Sequence, residues 1–142
     1  MSKTYVPVDL RERVRAASRY RCGYCLCAEI YTGMLMEIDH LIPESLGGLT
    51  EEDNLWLACT LCNDYRSNRT DAPDPETGAK VRLFDPRHQQ WADHFRWSIA
   101  GDEIIGQTPT GRATVKALRL NHAVRVEARR NWVTAGWHPP LD

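Results

Sequence analysis

Two cysteine pairs, Cys22-Gly23-Tyr24-Cys25 and Cys59-Thr60-Leu61-Cys62, bracket the part of the chain that organises the rest. Between them run Glu37-Ile38-Asp39-His40-Leu41-Ile42-Pro43, then Gly47-Gly48, then Asn54-Leu55, and Asn63 follows the last cysteine directly. Each pair has the spacing of a knuckle that lets two thiolates share one ion, so Cys22, Cys25, Cys59 and Cys62 together predict a structural zinc site. Such a site contributes on the order of 10–16 kcal/mol of apparent binding energy to folding. A redox role for the pairs is disfavoured, because two of them occur in one small chain with no thioredoxin-like pattern around them. The fifth cysteine, Cys27, reads as a spare thiol, although its closeness to Cys25 leaves the fourth ligand open between the two.

The residues between the pairs suggest a second metal site. Residues 35–41 read as a strand ended by Pro43, which cannot donate to a neighbouring strand. Residues 44–53 read as a loop containing the Gly47-Gly48 turn signal, and residues 55–58 as a second short strand. Residues 59–69 read as a helix opening on the second knuckle. Asp39 and Asn63 offer a carboxylate and an amide oxygen, hard ligands suited to Mg²⁺ or Mn²⁺, whose remaining positions water and phosphate oxygens would fill. His40 carries an imidazole, a group able to take a proton from water, with a carbonyl on its other ring nitrogen expected to fix the tautomer. The Asn54 amide is suited to pinning the long loop. Arg66 lies one turn beyond Asn63 and can meet either a phosphate or a surface carboxylate. Arg69 reads more readily as a salt bridge. These two arginines are the candidate nucleic-acid contacts.

This run of residues resembles the HNH endonucleases, the ββα-metal (His-Me finger) nucleases, in the version with a four-cysteine zinc. The resemblance covers about a third of the chain. It implies an α+β fold with a ββα-metal core and zinc knuckles. It also implies metal-assisted hydrolysis of DNA phosphodiester bonds. His40 is similar to the family's general base, Asp39 to its first catalytic-metal ligand, and Asn54 to the residue that orients the loop. Asn63 stands where the family often carries a histidine, a departure that favours Mg²⁺ or Mn²⁺ over a softer ion. The alternative is a zinc-stabilised nucleic-acid-binding module without turnover.

Outside this block, residues 9–20 read as a helix carrying Leu10, Val14 and Ala17 on a narrow apolar stripe. Residues 70–80 read as an exposed connection. A helix is expected from the Asp85-Pro86 start signal to residue 94, then a hairpin over 95–106, and helices over 108–120 and 121–135, the last stopped by Gly136. The tryptophans beyond residue 80 read as packing residues. The expected division is an HNH core over 1–80 and a helical and hairpin extension over 81–142 packed on it.

Composition limits the alternatives. The 142 residues carry a net charge of −1, which gives no overall nucleic-acid signal, but arginines cluster at 11–21 and 112–130, where guanidinium groups suit bidentate phosphate contact. No apolar run is long enough to span a membrane. The N-terminus shows no export signal, so a cytoplasmic location with reduced cysteines is expected. The oligomeric state is left open.

Overall fold

The computed structural model describes residues 5–141. The reading of the N-terminus as leaderless draws on Met1 to Thr4, which lie outside them. In chain order the elements are helix α1 (Val8–Ala17), a one-turn helix α2 (Glu29–Thr32), strand β1 (Glu37–His40), strand β2 (Leu55–Ala58), helix α3 (Thr60–Arg66) and strands β3 (Asp71–Pro73) and β4 (Lys80–Arg82). Then follow a one-turn helix α4 (Trp91–His94), strands β5 (Phe95–Trp97) and β6 (Ile104–Gly106), and helices α5 (Pro109–Ala117) and α6 (Ala123–Ala135). The fold is α+β: among the described residues, helices and three separate two-stranded antiparallel sheets.

β1 and β2 pair with Asp39 opposite Trp56 and Glu37 opposite Ala58. Strand period places Glu37 and Asp39 on one face, and α3 lies against β1. Strand, long loop, strand and helix thus make the ββα unit. α1 packs on its outside, where Leu10 and Val14 bury against Leu55. Asp9 falls in the first turn of α1, where a carboxylate favours the helix dipole, rather than at its cap, which is Pro7.

The main apolar cluster joins residues from both sides of position 80. Tyr24, Leu57 and Ala72 share it with Phe84, Phe95, Ile104, Leu118 and Leu120. Trp91, Trp97 and Trp132 pack against it, and Trp137 is 55 % exposed.

Two stretches differ from expectation. Residues 70–80 are not simply an exposed connection, because β3 and β4 form a hairpin there. Asp74, fully buried, receives Arg112 of α5 through two hydrogen bonds of 2.9 and 3.0 Å. The helix expected from Asp85-Pro86 is a turn. The Asp85 carboxylate does cap the Arg87 and His88 amides, but it also binds the His88 ring at 2.8 Å. Helix resumes only at Trp91. The hairpin at 95–106 and the last two helices follow the sequence reading, with Thr108 capping α5 through Gly111 N and Gly136 ending α6 at φ 83°. No helix among the described residues is long and apolar enough to cross a membrane.

Candidate active site

The metal cluster is built from the two knuckles. Gly23 N donates to Leu57 O at 2.9 Å, which ties the first knuckle to β2. Gly23 is required there: a Cβ would drive into the Trp56 ring and Pro86. Cys59 sits at the N-terminus of α3, where its sulfur accepts the Cys62 amide at 3.4 Å, and the Cys22 sulfur accepts the Tyr24 amide at 3.4 Å. The sulfurs of Cys22, Cys25, Cys59 and Cys62 all lie within 4.8 Å of one another. Zinc–sulfur bonds of ~2.3 Å in a tetrahedron require a sulfur–sulfur edge of about 3.8 Å, and Cys25 and Cys59 stand 3.7 Å apart.

The electrostatics fit a cation. Hydrogen bonding from Cys22 pulls the Cys59 thiol down to about 4 and the Cys25 thiol well below its usual range. Burial pushes Cys22 and Cys62 up. A buried cluster of this kind reaches its fully ionised state only with a divalent cation at its centre. Cys27 lies outside the four, with its sulfur 3.3 Å from that of Cys25.

The second group of residues sits along the seam between β1 and α3. Asn63 Nδ2 donates to Glu37 Oε2 at 2.6 Å, and Arg66 Nη1 donates to Asp39 Oδ2 at 2.6 Å. Arg66 also donates to the His40 carbonyl at 3.1 Å and to the Leu41 carbonyl. Asp39 is 7 % exposed. Burial pushes its carboxyl up, while the Arg66 guanidinium and the Tyr24 hydroxyl at 3.5 Å favour the ionised form. Among the described residues, no hydrogen bond reaches Asp39 Oδ1 or Asn63 Oδ1.

His40 is oriented from the loop after β1. Its Nε2 lies 2.9 Å from Thr50 Oγ1 and 3.0 Å from Glu44 Oε1. The partners of that nitrogen are therefore a hydroxyl and a carboxylate, not a backbone carbonyl. With Nε2 carrying the proton toward Glu44, Nδ1 keeps its lone pair. Asn54 closes the same loop: its Oδ1 accepts Ile42 N at 2.8 Å, and its Nδ2 donates to Ile42 O at 3.0 Å and Leu49 O at 2.9 Å. Gly48 is needed beside it, since a Cβ there would collide with the Ile42 carbonyl.

Glu37, Asp39, His40, Glu44 and Asn63 line one cavity of about 610 Å³, with Arg11 and Arg15 of α1 on its wall. The structure thus brings together Asp39, His40 and Asn63. Asn54 lies behind the loop, on a different cavity.

Arg66 is placed otherwise than as a phosphate contact. Its side chain is 4 % exposed and its donors are taken by Asp39 and two carbonyls. It joins α3 to β1. Arg69 is exposed, but its Nη2 is held by the Tyr65 carbonyl and, at 3.0 Å, the Ala117 carbonyl.

Sequence reasoning gave no role to Glu37 or Glu44, and it singled out Arg11 only as one member of the arginine cluster at 11–21 suited to phosphate contact. The first two were open to detection, as Glu37 is two residues before Asp39 on a strand and Glu44 follows four residues after His40. Arg11 meets the site only through the packing of α1.

Residues 22–69 match the family model described as HNH endonuclease. This stretch is an HNH endonuclease domain. The chain is also 25 % identical, over 153 aligned positions, to Septu protein PtuB of Bacillus mycoides (strain KBAB4). The alignment covers 89 % of the chain and 52 % of that protein, so the chain spans about half the length of this curated relative. No solved structure matches significantly. The HNH domain contains the four-cysteine cluster and the Asp39, His40 and Asn63 cavity wall, whereas α1 and everything from β3 onward lie outside it.

Proposed function

We propose that this chain is a metal-dependent endonuclease that hydrolyses phosphodiester bonds in DNA. The observation that carries the reading is the shared cavity. Asp39 and Asn63, each with a side-chain oxygen that no hydrogen bond reaches among the described residues, line it together with His40, whose Nε2 meets Thr50 and Glu44. Asp39 and Asn63 would hold a hard divalent ion, Mg²⁺ or Mn²⁺, which supplies charge neutralisation at the leaving oxygen when bound.

The chain's own residues do the rest. His40 takes a proton from water at Nδ1 as general base, and Glu44 stabilises the imidazolium that results. Glu37 holds the Asn63 amide by its nitrogen and leaves the oxygen for a ligand. Arg66 holds Asp39 and the end of β1 in register with α3. Asn54 fixes the loop that carries Glu44 and Thr50. The four cysteines hold zinc as a structural ion that locks both knuckles.

Arg11 takes over the role first expected of Arg66. Its side chain lines the cavity from an exposed position. Its Nη2 donates to the Val6 carbonyl at 3.2 Å, and no carboxylate pairs with it among the described residues. The neighbouring Arg15 is bound to Glu29 at 2.7 Å and is 15 % exposed. Arg11 is therefore the guanidinium available for a DNA phosphate.

Plasmid nicking by the zinc-loaded protein tests the proposal, with Mg²⁺ or Mn²⁺ added after weakly bound ions are removed. Cleavage that requires the added ion supports it. Retention of DNA in a gel shift without cleavage under any divalent ion would select the zinc-stabilised binding module instead.

A further inference from the structure

Arg125 lies on α6, far beyond the end of the HNH domain, yet its side chain ends on the cysteine cluster. It is 7 % exposed. Its Nη2 stands 3.0 Å from the Cys62 sulfur and 3.8 Å from that of Cys59, and its Nη1 donates to the Leu118 carbonyl at 3.1 Å. No carboxylate pairs with it among the described residues. We propose that Arg125 is the counter-charge of the four-cysteine metal centre, so that α6 closes the centre and the HNH domain does not hold its metal at full strength alone.

The physical reason is the charge of the centre. Four thiolates around one Zn²⁺ leave a net dianion, and here three of the four cysteines are buried. A buried dianion is costly unless a cation and hydrogen-bond donors meet it. Arg125 supplies both in one group, and its planar fork reaches sulfur and carbonyl together.

The neighbouring Arg129 provides a contrast within the same helix. It is also buried, at 2 % exposure, but its donors go to the Asp102 and Leu120 carbonyls and to Asn121 Oδ1. Arg129 ties α6 to the hairpin and its flanking turn, whereas Arg125 ties it to the metal. The C-terminal part thereby acquires a role in the HNH domain beyond covering its core: it completes the electrostatics of the zinc.

The proposal rests on the cluster holding zinc, which metal content of the purified full chain tests separately. Zinc affinity is then measured by competition with a chromogenic chelator for wild type, R125M, R125K and R129M. Loss of a partner that hydrogen-bonds a metal ligand weakens metal binding by roughly 10–100-fold. R125M should fall in that range and R125K should lose less, while R129M should stay near wild type. Equal affinity of R125M and wild type overturns the proposal, as does an equal loss in R129M, which would mark a general effect of destabilising α6. Should R125M fail to fold, hydrogen exchange on the wild type decides. Removing zinc should speed exchange in α6 as well as in the knuckles, and unchanged protection of α6 in the metal-free protein overturns the proposal.

Discussion

Replacing Arg66 with Met separates two accounts of this side chain. In the structure it is a buried ion-pair partner, 2.6 Å from Asp39 Oδ2, with two further bonds to the His40 and Leu41 carbonyls. Methionine fills much of the same volume but leaves the Asp39 carboxylate, 7 % exposed, without its cation. Breaking a buried pair from one side costs about 3–5 kcal/mol, because the remaining charge has no compensation. The total stability of a domain is roughly 5–15 kcal/mol. In a chain of this size each kcal/mol corresponds to about 2–4 °C, so the melting temperature of the zinc-loaded protein should fall by roughly 6–20 °C. The double variant D39N/R66M removes both charges and should recover part of that loss. DNA binding by folded R66M should keep its salt dependence. If R66M instead melts with wild type and its salt slope is shallower by about 0.9, the loss of one phosphate contact, Arg66 faces DNA and the seam between β1 and α3 has been misread.

Arg11→Ala should do the reverse, leaving the melting temperature nearly unchanged and making the salt slope of DNA binding shallower by about 0.9; an unchanged slope removes Arg11 from the interface. Asn54→Ala deletes three hydrogen bonds that close the loop, each worth about 0.5–1.5 kcal/mol. It should destabilise the fold by roughly 1.5–4.5 kcal/mol in denaturant titration and increase proteolytic cutting between residues 42 and 54. His88 gives a pH signature: hydrogen bonds to Asp53 and Asp85 raise its pKa. Its contribution to stability is therefore complete below its ordinary value of about 6.5, and it fades as pH rises through the higher folded value. H88Q should melt slightly lower than wild type in mild acid and equally at alkaline pH; the opposite order would show that the aspartates do not hold the ring.

The amino-acid sequence carried the ββα unit because its signals are local. The C-x-x-C spacing, Pro43 after a strand, Gly47-Gly48 and the polar end of β1 each report on a few residues, and together they leave one arrangement. The α5 and α6 boundaries were legible for the same reason, through Thr108-Pro109 and Gly136. What could not be read is which side chains meet across the fold. Asp74 looks like one acid in a polar connection, and only its contact with Arg112 turns residues 70–80 into a hairpin with a buried carboxylate. Asp85-Pro86 has the composition of a helix start, but the Asp85 carboxylate also binds His88, whose other ring nitrogen meets Asp53 across the chain. Arg66 and Arg125 look like surface cations by type. Asp39 and the two metal-binding sulfurs make them interior ones, and no spacing rule anticipates contacts over 27 and 63 positions.

Single-turnover cleavage of DNA by wild type and H40A, both shown to carry zinc and to melt alike, measures the imidazole's work directly. With a saturating divalent ion, removing a general base of this kind should slow cleavage by about 10²–10⁴-fold while DNA binding persists. Cleavage by H40A at the wild-type rate would contradict the assignment of His40 and with it the mechanism proposed for this cavity.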